Sequence, residues 1–223
     1  MKKNTLRIIT TLIAFGVIAG CSNAPKLTTQ ALPQSGFLPN YQILQPVSIK
    51  DPDARIWRYK KEGVNASAIT GVILEPIYLN QSVTKSLSAE VLAKTKAALQ
   101  ESMYDAISAR KDIKIVKEPG PGVVMISVGI TGAEQSNDSL QSWNFTPIGL
   151  AVNAAAYTTD LNSKTPALVI ESKIVDSQSK ELLAEALSVI KGESFRTGSG
   201  SVDSFVEMAK KAVKLSVQTS ARP

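Results

Sequence analysis

The chain has 223 residues, with 25 Lys and Arg against 19 Asp and Glu, a single Cys and no His. Without His it lacks the commonest general base and metal ligand, and a lone Cys forms neither an internal disulfide nor a thiolate metal cluster. Zinc enzymes, His-dependent triads and disulfide scaffolds are therefore excluded, whereas 43% hydrophobic and 20% charged residues suffice for the core of one domain.

Met1-Lys2-Lys3 and Arg7 precede Ile8 to Gly20, an apolar run interrupted only by Thr10 and Thr11. A basic start followed by a short apolar run reads as a secretory signal peptide over residues 1–20. The run falls short of the roughly 20 apolar residues of a membrane-spanning helix. Ile18-Ala19-Gly20-Cys21 then matches the lipobox of bacterial lipoproteins, in which cleavage falls between Gly20 and Cys21 and the cysteine is acylated. The expected membrane partner is thus reached through acylated Cys21, since several acyl chains anchor stably where one does not. Ser22 stands where Asp would, in enteric-type sorting, favour the inner membrane, so the expected location is the periplasmic face of the outer membrane. Lys2, Lys3 and Arg7 leave with the signal, so the mature chain has 22 basic and 19 acidic residues and a net charge of +3. A nucleic-acid partner loses its support.

Residues 21–42 hold Pro25, Pro33 and Pro39 and only Lys26 as a charge, which reads as a lipidated tether reaching roughly 25 Å. Within it Gly36-Phe37-Leu38-Pro39-Asn40-Tyr41 is apolar enough to dock on the domain. Residues 43–223 form the single domain, folded from about Ile43 to Thr219. Ile69 to Leu79 is a β-branched strand in which Pro76 forces an edge or a bulge. Ser86 to Ala109 is a helix with Leu92, Leu99, Met103 and Ile107 on one stripe and Ser88 as N-cap. A strand at Ile113 and Ile115 leads to the turn Glu118-Pro119-Gly120-Pro121-Gly122. Val124, Ile126, Val128 and Ile130 then alternate as a half-buried strand. Leu168–Asp176 and Leu182–Ile190 flank a polar turn as a hairpin. Val202 to Gln218 closes the chain as a helix with Phe205, Ala209, Val213 and Val217 on one face and Ser204 and Glu207 spaced as a capping box. The order β-α-β-β-loop-β-β-α predicts an α+β two-layer sandwich: a mixed or antiparallel sheet of about five strands with two long helices packed on one face.

Gly36–Tyr41, Ile73-Leu74-Glu75-Pro76-Ile77 and Glu118-Pro119-Gly120-Pro121-Gly122-Val123 occur in the order seen in bacterial lipoproteins of the domain-of-unknown-function 3313 family, which the mature chain resembles. Ser179-Lys180 departs from that pattern, standing where a tight turn such as Thr-Gly is common. The resemblance implies an envelope lipoprotein without assigned catalytic residues.

Three segments compete as sites. Arg55-Ile56-Trp57-Arg58-Tyr59-Lys60-Lys61 interleaves bases with aromatics, as lipid or nucleic-acid binders do. It reads better as an edge strand with Ile56, Arg58 and Lys60 facing one way and Trp57 and Tyr59 facing the core. Glu118 to Gly122 reads as a rigid turn rather than an anion cradle, because its prolines remove donors. Between Asp138 and Asp160 no residue is charged, and Trp143, Phe145, Ile148, Leu150, Val152 and Tyr157 lie in that stretch. It is either a crossover buried on the sheet or an apolar loop that docks on a partner. No catalytic residue, metal ligand or cofactor is expected. The function expected is non-catalytic: binding or scaffolding another envelope protein or a cell-wall component through the uncharged loop or a sheet edge. The alternative is a small-ligand or lipid-binding module with a pocket between helices and sheet.

Overall fold

The computed structural model describes residues 34–136, 165–195 and 197–220. Eleven elements follow the chain: β1 Gln45–Val47, β2 Ala54–Lys60, β3 Gly71–Leu74, β4 Tyr78–Leu79, α1 Gln81–Ser86, α2 Ala89–Ser108, β5 Lys114–Ile115, β6 Val123–Ser136, β7 Thr165–Asp176, β8 Leu182–Lys191 and α3 Gly198–Ser220. The strands form one sheet in the order β1-β2-β8-β7-β6-β3-β5, with β4 also on β6. Pairing is antiparallel from β1 to β6 and parallel where β3 and β4 meet β6 and where β5 meets β3.

The hairpin β7–β8 and the alternating strand β6 build the centre as expected, and α2 starts where Ser88 accepts a hydrogen bond from the Val91 N–H at 3.3 Å. That cap satisfies one of the amides a helix start leaves open. Both long helices lie on one face. Leu92 and Leu99 of α2 and Phe205, Met208 and Ala209 of α3 pack there against Ile56, Ile130, Leu168, Ile170 and Ile190 of the sheet. Residues two apart share a face, so Trp57, Leu187 and Val189 point to the other side, where a second cluster with Leu38, Tyr41 and Leu44 covers them.

Four expectations need correction. The sheet has eight strands rather than about five. The difference lies in the three-residue strand β1, too short for alternation to register, in β2, and in the break of Ile69–Leu79 into β3 and β4 around Pro76, which has no N–H to give a ladder; β5 lies where Ile113 and Ile115 are expected to form a strand. The segment Arg55–Lys61 is not an edge, because β2 lies between β1 and β8; Ile56 enters the helix-side core while Trp57 is buried on the opposite face. Ser204 and Glu207 form no capping box: α3 begins earlier, Thr197 Oγ1 accepts from the Gly200 N–H at 3.1 Å, and the Ser204 hydroxyl donates to the Glu193 carbonyl. Val217 is 52% exposed, because the buried stripe of α3 runs through Ser201, Phe205, Met208, Ala212, Leu215 and Thr219.

Candidate functional site

Gly20, Cys21, Trp143, Phe145, Ile148, Leu150, Val152 and Tyr157 all lie outside the described residues. Ser136 and Thr165, the described residues on either side of the segment that holds the uncharged stretch, pair with each other across β6 and β7 beside the start of α3. Gln135 Nε2 donates to Ser201 Oγ at 2.7 Å there, and the hydroxyls of Thr165 and Ser194 lie 2.8 Å apart.

Three of the segment's basic side chains, those of Arg55, Arg58 and Lys61, are engaged within the domain, and Lys60 is exposed. Arg55 Nη1 donates to the carbonyls of Pro52 and Ala54. Arg58 reaches the C-terminal end of α3, donating to Thr219 Oγ1 at 2.6 Å and to the Ser216 carbonyl at 3.4 Å, where a cation suits the helix dipole. Lys61 pairs with Glu181. In the turn before β6, the Gly120 N–H is held by Ser177 Oγ at 3.1 Å and Gly122 sits at φ +72°, so the segment works as a turn. A shallow, open groove of about 360 Å³ runs along this end of the sheet, where Lys61, Asp176 and Glu181 are engaged with one another or with the turn that follows β7.

The most unusual chemistry lies on the face away from the helices. Residues 34–44 cross it as a strap, which agrees with the docking expected of Gly36–Tyr41. Asn40 caps a 3-10 turn at Tyr41–Ile43 by accepting from the Gln42 N–H at 3.0 Å. The Phe37 ring lies over Gly129, where an added Cβ would come within 3.1 Å of it, and stacks on Tyr78 at 5.5 Å. Lys173 Nζ sits 5.0 Å from the same ring and donates weakly to the Phe37 carbonyl at 3.4 Å.

Under the strap lie two carboxyl groups, Glu171 of β7 and Glu185 of β8, each 1% exposed. In the register of the hairpin Glu171 faces Leu187 and Lys173 faces Glu185, so the two glutamates are diagonal neighbours on one face. Glu171 is well supplied with donors. Ser35 Oγ and Tyr41 Oη each donate to its Oε2 at 2.8 Å, and Thr131 Oγ1 donates to its Oε1 at 3.0 Å. Thr131 is the residue that the register shift between Ile130 and Gly132 leaves unpaired, so a β-bulge aims its hydroxyl at the carboxylate. Burial pushes the Tyr41 phenol above its usual range, a direction the Glu171 charge reinforces.

Glu185 is the opposite case. Neither of its oxygens has a hydrogen-bond partner among the described residues, and the indole N–H of Trp57, on the same face, also lacks one. Burial pushes its carboxyl up to about 7; the backbone N–H of Asn40 draws it down without completing a hydrogen bond, Glu171 adds to the rise and Lys173 opposes it. Sequence reading missed both glutamates. A signal existed for Glu185, which falls in the row Leu183, Leu187 and Val189, apolar at every other position.

Among known proteins, the chain is similar to the uncharacterized lipoprotein YdcL of Escherichia coli (strain K12), 24% identical over 179 residues that cover 79% of this chain and 78% of YdcL. Solved structures with a similar course include a DUF4136-family protein from Bacteroides thetaiotaomicron, at 15% identity and a TM-score of 0.40 over 76% of this chain and 97% of that one. The PelC dodecamer from Paraburkholderia phytofirmans is another, at 10% identity and a TM-score of 0.38 over 76% of this chain and 99% of that one. Residues 33–216 match the family described as protein of unknown function (DUF3313), and the chain belongs to that family.

Proposed function

We propose that the protein is a non-catalytic cell-envelope lipoprotein, anchored by acyl chains on Cys21 at the periplasmic face of the outer membrane, that binds or scaffolds another envelope component. The observation that carries this reading is the lipobox Ile18-Ala19-Gly20-Cys21 at the end of a short apolar run. The relative YdcL, itself a lipoprotein, supports it. Among the described residues no helix is long and apolar enough to cross a membrane. Against catalysis stands the chemistry of the chain: it has no His, its one thiol is the proposed acylation site, and the two buried carboxyls among the described residues lie beneath the strap.

For the binding surface, the uncharged segment between Asp138 and Asp160 is a better candidate than a sheet edge. The outermost strands β1 and β5 span only three and two residues, and β1 contains Pro46, so they offer little backbone to an added strand. A pocket between helices and sheet is not favoured, since Phe205, Met208, Leu99, Ile130, Leu168 and Ile190, each at most 2% exposed, fill that layer. Photo-crosslinking amino acids at 143, 145, 150 and 157 of the full lipidated chain, irradiated in intact envelopes, test the reading. One dominant adduct is expected, lost when Trp143, Phe145 and Tyr157 are changed to Ser. Recovery of only abundant bystanders, unchanged by those substitutions, would sink it.

A further inference from the structure

The strap and the unsatisfied Glu185 beneath it belong to one arrangement. We propose that residues 34–44 are a proton-dependent latch, seated on the sheet while the Glu185 carboxyl is neutral and loosened when it becomes charged.

The geometry supplies the reason. Glu185 is 1% exposed, both its oxygens lack a hydrogen-bond partner among the described residues, and Leu187 and Val189 pack beside it on the same face under Leu38, Tyr41 and Leu44. A carboxylate without donors in such a place is costly, and natural cores leave few such groups. The groups facing Glu185 relieve it only in part. From β7 come Glu171, of like charge, and Lys173, which is directly opposite but leans on the Phe37 ring and carbonyl. From β2 comes the phenol of Tyr59, paired with Glu185 in register. From the strap come the Tyr41 hydroxyl, already given to Glu171, and the Asn40 N–H, which falls short of a hydrogen bond. The sheet walls β2, β7 and β8 are tied to one another by continuous ladders. The strap is tied by side chains instead: Ser35 and Tyr41 bond Glu171, Phe37 stacks on Tyr78, and Leu38, Tyr41 and Leu44 bury against Trp57, Leu187 and Val189. Charge on Glu185 is therefore relieved most cheaply by lifting the strap, which admits water to the carboxylate and to the Trp57 indole and frees Lys173 to pair across the ladder. The carboxyl of Glu185 lies at about 7, inside the range where such a latch responds.

Hydrogen exchange read by mass spectrometry on the full lipidated chain in detergent micelles tests this, from pH 5.5 to 8.0 with intrinsic rates corrected. For one proton coupled to opening, protection of residues 34–44 should fall about tenfold between pH 6 and pH 8, while residues 123–130 of β6 stay protected. Glu185→Gln should abolish the pH dependence and keep the strap seated throughout. Glu185→Leu, a second neutral variant, should behave alike and serves where the amide does not fold. Strap exchange that does not change with pH overturns the latch. So does a fall that persists in the neutral variants, or one that β6 shares, since the last is global unfolding.

Discussion

Glu185→Gln should remove the fall in the domain's stability with rising pH around neutrality. The wild-type carboxyl lies at about 7 in the folded chain against an ordinary value of 4.5. Below the ordinary value both folded and unfolded chains hold the proton, and Glu185 imposes no penalty. Between the two values the folded chain holds more protons than the unfolded one, so stability falls as pH rises. Above about 7 the carboxyl is charged in both states, and the folded chain has lost ~3 kcal/mol at most, from 1.36 kcal/mol per pH unit of separation. A buried carboxyl satisfied by donors would give the opposite trend. Lifting of the strap caps the loss, because water then reaches the carboxylate before the rest of the fold opens. Urea denaturation of the wild type and Glu185→Gln at pH 5, 6, 7 and 8, followed by far-UV circular dichroism, measures the effect. The wild-type midpoint should drop across this range, and the difference from the variant should widen with pH. Parallel curves would show that Glu185 does not titrate between folded and unfolded chains, and the reasoning from its burial would be wrong.

Other substitutions separate the contributions of neighbouring groups. Tyr41→Phe removes the 2.8 Å hydrogen bond to Glu171 and should destabilise by about 1.5–3 kcal/mol, typical of a bond to a charged acceptor, in urea titrations at pH 7. Phe205→Ala, at a side chain wholly buried between α3 and the sheet, should cost about 3–5 kcal/mol in the same assay. Lys180→Gly should stabilise by roughly 0.5–1 kcal/mol in thermal unfolding, because residue 180 sits at φ +62°, the left-handed region that glycine adopts without strain. A loss there instead would show that the Lys180 Nζ bond to the Ser177 carbonyl outweighs the backbone strain.

Elements governed by local periodicity were legible, and contacts made across the sequence were not. Alternation from Val124 to Ile130 and the paired runs of the hairpin located β6, β7 and β8, and Ser88 located the start of α2. The stripe on α3 shows where such reading slips. Steps of four residues, from Phe205 to Val217, drift by about 40° each around a helix of 3.6 residues per turn, so the stripe turns out to solvent. The buried line alternates steps of four and three, and Ser201, Ala212 and Thr219 on it are too small or polar to draw notice. The departure at Ser179-Lys180 carried structural meaning: lysine stands in the conformation for which glycine is the usual choice. The strap was visible as an apolar patch in a tether, but its target was not. Tyr41 and Glu171 are 130 positions apart, and no local pattern joins them.

The order of parts along the chain gives the strap its significance. On the proposed anchoring, the acylated Cys21 lies only a short stretch before Gln34, and the residues that follow that stretch are those that close over Glu171 and Glu185. Among the described residues, a pull from the membrane meets Ser35, Phe37 and Tyr41 before it meets a strand. Those three residues hold by side chains, through two hydroxyl bonds to one carboxylate oxygen, the Phe37 ring over Gly129 and against Tyr78, and the buried Tyr41 ring, whereas β2 behind them is laddered along its whole length to β8. Force on the tether and charge on Glu185 therefore act on the same weak contact, and each lowers the work the other must do to open it.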